Sequence, residues 1–339
     1  MPFRDVIGHR RLIGLLARSI NRGTLPPSLI LAGPSGVGKR LVAVASAQLL
    51  NCTARALPES GGQAAPGIEA DSCGVCTACV RIARGMHPDV LILEPGDSGS
   101  IRIEQVRETI DHAAYRPFEG RRRVIVIDDA DMMVPAAQNA LLKTLEEPPS
   151  SSVFLLVTSR PDTLLPTVRS RCPRLRFRAL STDEVVAALV QQGRGELEAR
   201  TVAAVAGGSI GRALEASAGD LAEARDVAAR VLAQVASTAD LRRRIEAAQS
   251  LTLKSGGADR QQLAAELRAM ASLVRDAALL GAGAERRALA NPDLPSIAGL
   301  AVFGGERGTR AFSAIDRALA ALERNASAKI VADWLVLHL

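Results

Sequence analysis

Leu29-Ile-Leu-Ala32-Gly33-Pro-Ser-Gly36-Val-Gly38-Lys39-Arg40 is the stretch from which the rest of this chain is read. Four apolar residues without alternation predict a buried strand, the glycines a loop, and 40–50 the helix that follows. Glycines in such a loop let backbone N–H groups approach phosphate oxygens, and a lysine at position 39 reaches the outer ones. Only four of the 42 basic side chains are lysine (Lys39, Lys143, Lys254 and Lys329), so Lys39 stands out from an arginine-rich background. A compact ammonium acts as a point charge at phosphate, which a planar guanidinium does not reproduce. One position departs from the pattern. The residue after the lysine normally offers a hydroxyl to Mg²⁺, and here it is Arg40. A cation does not ligate a cation: the loop admits a nucleotide while Arg40 weighs against metal-dependent hydrolysis. A glycine-rich turn without nucleotide is the plainer alternative.

Outward from the loop, strands and helices alternate. Residues 90–93, 124–127 and 153–157 are short apolar runs, and 175–177 is a candidate fifth. Helices are expected over 5–21, 102–114 and 136–146, the last halted by Pro148 and Pro149. Apolar runs separated by helices predict an α/β fold with a parallel sheet covered on both faces. From Ser181 the strand signals vanish. Ser181-Thr-Asp-Glu184 has the pattern of a capping box, and Gly207-Gly208 separates short helices. The expected domains are 1–179, a small helical domain over 180–235, and an all-helical domain over 236–339 whose last helix spans 331–338. Residues 61–67 are the best candidate for disorder.

A chain of 339 residues exceeds one comfortable core, which agrees with two or three domains. Hydrophobic residues make up 47% and aromatics only 2%, so the cores are expected to be aliphatic. The net charge of +6 is compatible with a nucleic-acid neighbour, but a solvated basic surface is the more common explanation. No apolar span of membrane-helix length is present, and the N-terminal residues MPFRDVIGHRRL lack the apolar core of an export signal. A cytoplasmic location is therefore expected, where thiols stay reduced and metal binding is favoured over disulfides.

Cys73, Cys76 and Cys79 follow at two-residue spacing, and Cys52 lies upstream across a loop containing Gly and Pro. Four thiolates converging in this way would give tetrahedral zinc coordination with no open position, hence a structural site. His87, beside Pro88, is a lower-ranked substitute ligand, unligated thiols are the bland alternative, and Cys172 reads as a small buried apolar side chain. Asp128 closes the run 124–127 where a Mg²⁺-holding carboxylate sits in phosphate-loop ATPases. Asp129 stands where such an enzyme places a glutamate to orient water. Retraction by about one methylene is a displacement of the kind that costs on the order of 100-fold in rate. Acidic turn formers at a strand end are the alternative. Arg171, in Ser170-Arg-Cys172, is one of five arginines between 169 and 178, and taken alone it reads as part of a solvated face, as do Arg121, Arg122 and Arg123.

Together these residues resemble the AAA+ clamp-loader subunits of bacterial DNA polymerase III. The resemblance is carried by the phosphate loop, the cysteine set, Ile127-Asp-Asp-Ala130, Asn139-Ala-Leu-Leu-Lys-Thr-Leu-Glu-Glu-Pro148 and Ser170-Arg-Cys172. It covers residues 5–178, extends through Gly208-Ser-Ile-Gly-Arg212, and leaves only helical character in the C-terminal third. Within the family the chain is similar to the delta-prime type, because the gamma/tau motor type would keep Thr or Ser at position 40 and Glu at 129. The resemblance implies an AAA+ P-loop sheet with an inserted zinc knuckle (about 52–79), a helical lid and a helical collar. It implies ATP or ADP at Gly33, Gly36, Gly38, Lys39 and Arg40, with Asp128, Asp129, Thr158 or Ser159 as first sensor, and Arg212 as second sensor. Mg²⁺-dependent turnover is not implied. Structural Zn²⁺ would be held by Cys52, Cys73, Cys76 and Cys79, and Arg171 would enter a neighbouring subunit's ATP site as an arginine finger. The implied partners are gamma/tau and delta subunits in a hetero-pentamer, with the sliding clamp and primed DNA met through that assembly, and no membrane. The implied role is a largely non-hydrolysing stator in clamp loading during DNA replication. Two other readings stay open: an active motor subunit of the same loader, and a nucleotide-responsive DNA-binding protein outside replication.

Overall fold

Three of the apolar runs become strands buried along their whole length in the computed structural model: β1 Ser28–Ala32, β3 Arg123–Ile127 and β4 Ser152–Thr158. The less buried β2 Val90–Leu93 and β5 Arg174–Arg176 form the two edges. The structure describes residues 1–54, 70–96, 98–215, 218–251, 259–285, 289–291, 295–323 and 326–339. The disorder candidate, 61–67, lies outside them. All five strands are parallel in the order β2-β3-β4-β1-β5, with Leu29 beside Leu155, Ile125 beside Phe154 and Ile30 beside Arg174.

Parallel strands need crossover helices, and the helices cover both faces. They are α1 Arg10–Asn21, α2 Lys39–Asn51, α3 Thr77–Ala83, α4 Ile103–Ala114, α5 Pro135–Glu146 and the single turn α6 Pro166–Arg169. Successive strand residues point to opposite faces. Leu29, Leu31, Val124, Val126 and Leu155 therefore pack with Ile13 and Leu16 of α1 and Val42 and Leu49 of α2. Ile30, Ile125, Ile127, Phe154 and Leu156 pack on the other face with Val106 of α4 and Leu141 and Leu145 of α5. This double coverage is why the strands show no polar alternation, and the α/β expectation with a parallel sheet is met.

Several element boundaries differ from expectation, and the last helix begins at Ala328 instead of 331. The helix expected over 5–21 begins only at Arg10, because Gly8 (φ 71°) and His9 (φ 52°) take left-handed backbone, and Phe3–Asp5 forms a separate 3-10 turn. Apolar spacing does not register a left-handed pair. The fifth strand is displaced one residue toward the N-terminus of 175–177, although the Phe177 N–H still donates to the Ala32 carbonyl (2.7 Å).

The chain divides into two compact units, Met1–Leu180 and Ser181–Leu339. The second is helical in its described residues: α7 Thr182–Gln191, α8 Glu196–Val205, α9 Ile210–Glu215, α10 Ala218–Ser237, α11 Leu241–Gln249, α12 Asp259–Gly281, α13 Gly305–Glu323 and α14 Ala328–His338. The capping box forms as expected: the Glu184 N–H donates to Ser181 Oγ (3.2 Å) and the Ser181 N–H to Glu184 Oε2 (2.8 Å). Long α12 is the hub of the unit, packing on α8, α10, α13 and α14. Its fully buried Asp276 accepts the backbone N–H groups of Ala290 and Asn291. No described helix is long and apolar enough to cross a membrane.

Candidate functional site: a phosphate loop and a cysteine cluster

β1 delivers its C-terminal end to the loop 33–38, and α2 starts at Lys39. Gly36 (φ 73°) and Gly38 (φ 97°) take backbone that side chains rarely adopt, which turns the loop back on itself. Gly33 is needed for a different reason. A Cβ there would lie 2.8 Å from Phe177 Cβ, so the loop and the chain leaving β5 touch as backbone. Lys39 is buried, and its ammonium donates to the carbonyls of Gly33 (2.7 Å) and Pro34 (2.6 Å) inside the loop. These residues suit a phosphate: glycine backbone, one fixed ammonium and a helix N-terminus, at the C-terminal edge of a parallel sheet.

Strand order then brings two acids to Arg40. Its Nη1 lies 3.0 Å from Asp128 Oδ2, beyond the end of β3, and also ion-pairs with Glu94, beyond β2. Mg²⁺ does not fit this arrangement, since a guanidinium already stands on the carboxylate that would face the ion. Asp129 adopts φ 46°, in the left-handed region that Asp tolerates better than most residues. Burial raises its pKa, the negative charges of Asp128 and Asp131 push the same way, and Lys39 and Arg160 oppose them. Asp131 ties down the end of β4: it accepts from Thr158 Oγ1 (2.7 Å), the Ser159 N–H (3.3 Å) and Arg160 Nε (3.0 Å). Thr158 and Ser159 thus share one carboxylate, and residues 33, 36, 38–40, 128, 129 and 158 all belong to the first unit. Arg212 lies in the second unit, on α9, where its N–H donates to Ser209 Oγ (3.2 Å).

Arg171 follows α6, and its position is set from below. Buried Gln138 of α5 donates to the Met133 carbonyl and accepts the Leu165 N–H (2.7 Å), fixing the start of α6. Cys172 is buried among Phe154, Leu156 and Val168, and burial pushes its thiol up to about 11, as befits an inert apolar side chain. With its neighbour anchored, Arg171 turns to the surface, donates from Nη1 to the Thr167 carbonyl (2.9 Å) and ion-pairs with Glu146. Arg123 is not the solvated residue expected from the Arg121–Arg123 run. It is buried and ion-pairs with the fully buried Asp89 (2.9 Å), which also accepts the N–H groups of Phe118, Glu119 and Gly120.

The four cysteines converge on one point. Cys52 caps the end of α2, Cys76 the start of α3, and Cys79 lies within α3. Their sulfurs and that of Cys73 all lie within 4.8 Å of one another. Cys52 Sγ and Cys76 Sγ are 4.0 Å apart, close to the roughly 3.8 Å that tetrahedral Zn–S bonds of about 2.3 Å impose. N–H groups already point at sulfur: Cys73 N to Cys52 Sγ (3.3 Å) and Cys76 N to Cys73 Sγ (3.2 Å). Burial pushes Cys79 and Cys52 up, whereas at Cys76 hydrogen bonds from Thr53 and Cys79 overcome burial and lower its pKa to about 5. The set can hold a metal ion. His87 stays apart: its Nδ1 accepts the Asp89 N–H (3.1 Å) and its Nε2 faces Glu119 (3.4 Å).

Sequence reading missed the acids Glu94 and Asp131, and also the clamp that holds the cysteine loop. Asp71 accepts the N–H groups of Phe3 (2.9 Å) and Arg4 (3.0 Å), while the Arg4 guanidinium donates to the carbonyls of Ser72 and Cys73 (both 2.9 Å). No local signal marks these pairs, since more than sixty residues separate their members.

With this geometry in view, the family model described as "DNA polymerase III, delta subunit" matches residues 8–181, just over half of the chain. The chain belongs to this family. It is an AAA+ clamp-loader subunit of the delta-prime-like kind, as the motifs implied. Over 144 residues it is 40% identical to DNA polymerase III subunit delta′ of Pseudomonas aeruginosa, a match covering 42% of this chain and 40% of that one. It is 34% identical over 183 residues to subunit tau of Escherichia coli K12, covering 54% of this chain and 26% of the relative. The chain thus spans about a quarter of the length of the tau relatives it matches. The gamma-subunit-related protein of Thermotoga maritima is 18% identical with a TM-score of 0.41, covering 96% of this chain and 98% of that one.

Proposed function

We propose that this clamp-loader subunit is a stator: its own pocket does not turn over ATP, and it lends Arg171 to the ATP site of an adjacent motor subunit. The observation that carries the reading is the Arg40–Asp128 ion pair, in which an arginine replaces the metal-binding hydroxyl and covers the metal-facing carboxylate. Without a held metal, an attacking water and the transferring phosphoryl group lack their principal electrostatic support. Asp129, shortened and with its pKa raised, is a poor substitute for a water-orienting glutamate.

Arg171 supports the second half of the proposal. Its guanidinium is one-third exposed and rests on Glu146, another surface group, while Cys172 anchors the backbone beneath it. A finger needs this combination of a fixed root and an accessible tip. In the proposed assembly, gamma/tau and delta subunits complete a hetero-pentamer in the cytoplasm that places a sliding clamp on primed DNA. Residues 180–235 serve as the lid, with Arg212 as second sensor, and Thr158 or Ser159 is the first sensor. Residues 236–339 form the collar. Gly33, Gly36, Gly38 and Lys39 cradle ATP or ADP, and Cys52, Cys73, Cys76 and Cys79 hold a structural Zn²⁺.

The similarity to gamma/tau subunits keeps one rival in play, an active motor of the same loader. Steady-state hydrolysis by the purified zinc-loaded chain, with Mg²⁺ and ATP, separates the two. A stator gives no turnover above background. Sustained release of phosphate that disappears in Lys39→Ala would establish the motor instead.

A further inference from the structure

The geometry points to a cation already built into the phosphate pocket: the Arg40 guanidinium takes the metal's place, so the site binds a nucleoside di- or triphosphate without a divalent ion. The inference rests on the reading of loop 33–38 as a phosphate site and concerns how that site balances charge.

Mg²⁺ needs near-octahedral oxygen ligands and is usually held by only one or two protein carboxylates. Here the hydroxyl is gone and Arg40 Nη1 occupies Asp128 from 3.0 Å, with Glu94 accepting from the same nitrogen. A divalent ion brought to Asp128 would face a guanidinium a few ångströms away, where like charges repel.

The same contacts aim the arginine. Two carboxylates, from the ends of β2 and β3, hold one nitrogen. Among the described residues, Nε and Nη2 make no hydrogen bond or ion pair. The side chain is half-exposed, so this edge of the guanidinium is open to a ligand. A guanidinium edge is the donor pair that matches two phosphate oxygens. On the preceding residue, Lys39 holds its ammonium within the loop on the Gly33 and Pro34 carbonyls, 2.7 and 2.6 Å away, where a phosphate would compete for it. Two fixed cations thus flank the cradle, one inside the loop and one where a metal would sit. Such a site retains nucleotide while lacking the ion that hydrolysis requires.

The test is calorimetric titration of the full-length, zinc-loaded chain with ADP, in buffer stripped of divalent ions over chelating resin and again with excess Mg²⁺. Avoiding soluble chelators leaves the cysteine-bound metal in place. Wild type should bind ADP with the same Kd, within about threefold, in both buffers. Arg40→Thr, which restores the hydroxyl, should bind roughly tenfold or more weakly without Mg²⁺ and recover when it is added. Thermal melts of both proteins control for folding, which an exposed position at the start of α2 should not disturb. Wild-type affinity that rises tenfold with Mg²⁺, Arg40→Thr binding equal to wild type without it, or no ADP binding in either buffer each overturns the inference. Mg²⁺-dependent ADP binding, together with phosphate release from ATP in the hydrolysis assay, would also remove the stator reading. Mg²⁺-dependent binding without turnover, or no binding at all, would leave that reading standing.

Discussion

Asp89 shows how much a single buried charge can organise. Its carboxylate gathers three successive N–H groups from 118–120 (2.7–2.9 Å) and the Arg123 guanidinium, with no exposed surface of its own. Burial works against its ionisation, but these donors prevail and its pKa falls below the ordinary carboxylate value. A depressed folded pKa stabilises the fold above the unfolded value of about 3.9, and the contribution is lost as pH falls through the folded one. Asp89→Asn should therefore cost about 3–5 kcal/mol at pH 7, because Arg123 is left buried and unpaired. The gap between variant and wild type should narrow below about pH 4. Urea unfolding of both proteins at matched pH values measures it, with acid loss of metal common to the two. A gap that does not change with pH would rule out the ionic account. The residue scale is also where local reading was weakest. Arg123 looked like one of three solvated arginines, because nothing in RRR says which one lies in a strand.

At the scale of elements, α3 depends on its cysteines. Seven residues are too few for a helix to persist unaided. This one is pinned by Cys76 at its N-cap, by Cys79 within it, and by Gln48 of α2 donating to the Cys79 carbonyl (2.7 Å). A metal bound by these thiolates would supply the missing stability and release protons from the raised thiols. Cys76→Ser should lower bound zinc from about one per chain to near zero and make 70–86 a site of rapid proteolysis, while the sheet persists. Atomic absorption with limited trypsin digestion reads both effects, and full zinc content in the variant would sink the assignment. The two-residue spacings made three of these cysteines legible as a set in the sequence. The clamp that orients their loop, Asp71 on Phe3 and Arg4, was not legible, because it pairs the chain's first turn with a residue 68 positions away.

For the whole molecule, the proposed assembly has a direct readout. Arg171→Ala should leave the subunit's melting temperature nearly unchanged, since the Glu146 contact is an exposed ion pair worth at most about 1 kcal/mol. In a loader reconstituted with its partners, loss of an arginine finger should cut DNA-stimulated ATP turnover about 10³-fold or more at the affected site. Undiminished turnover would exclude the finger. Linear order along the chain was enough to specify the phosphate loop, the apolar strands, the cysteine quartet and the switch to helices at Ser181, because each is written in local spacing or residue type. Arg40 was legible as a defect but not as a replacement. Its meaning came from the sheet order β2-β3-β4-β1-β5, which carries Glu94 and Asp128 from the ends of two strands to a helix start 88 residues before Asp128. Charges meet across a fold through topology and desolvation, and neither leaves a mark in the run of residues around them.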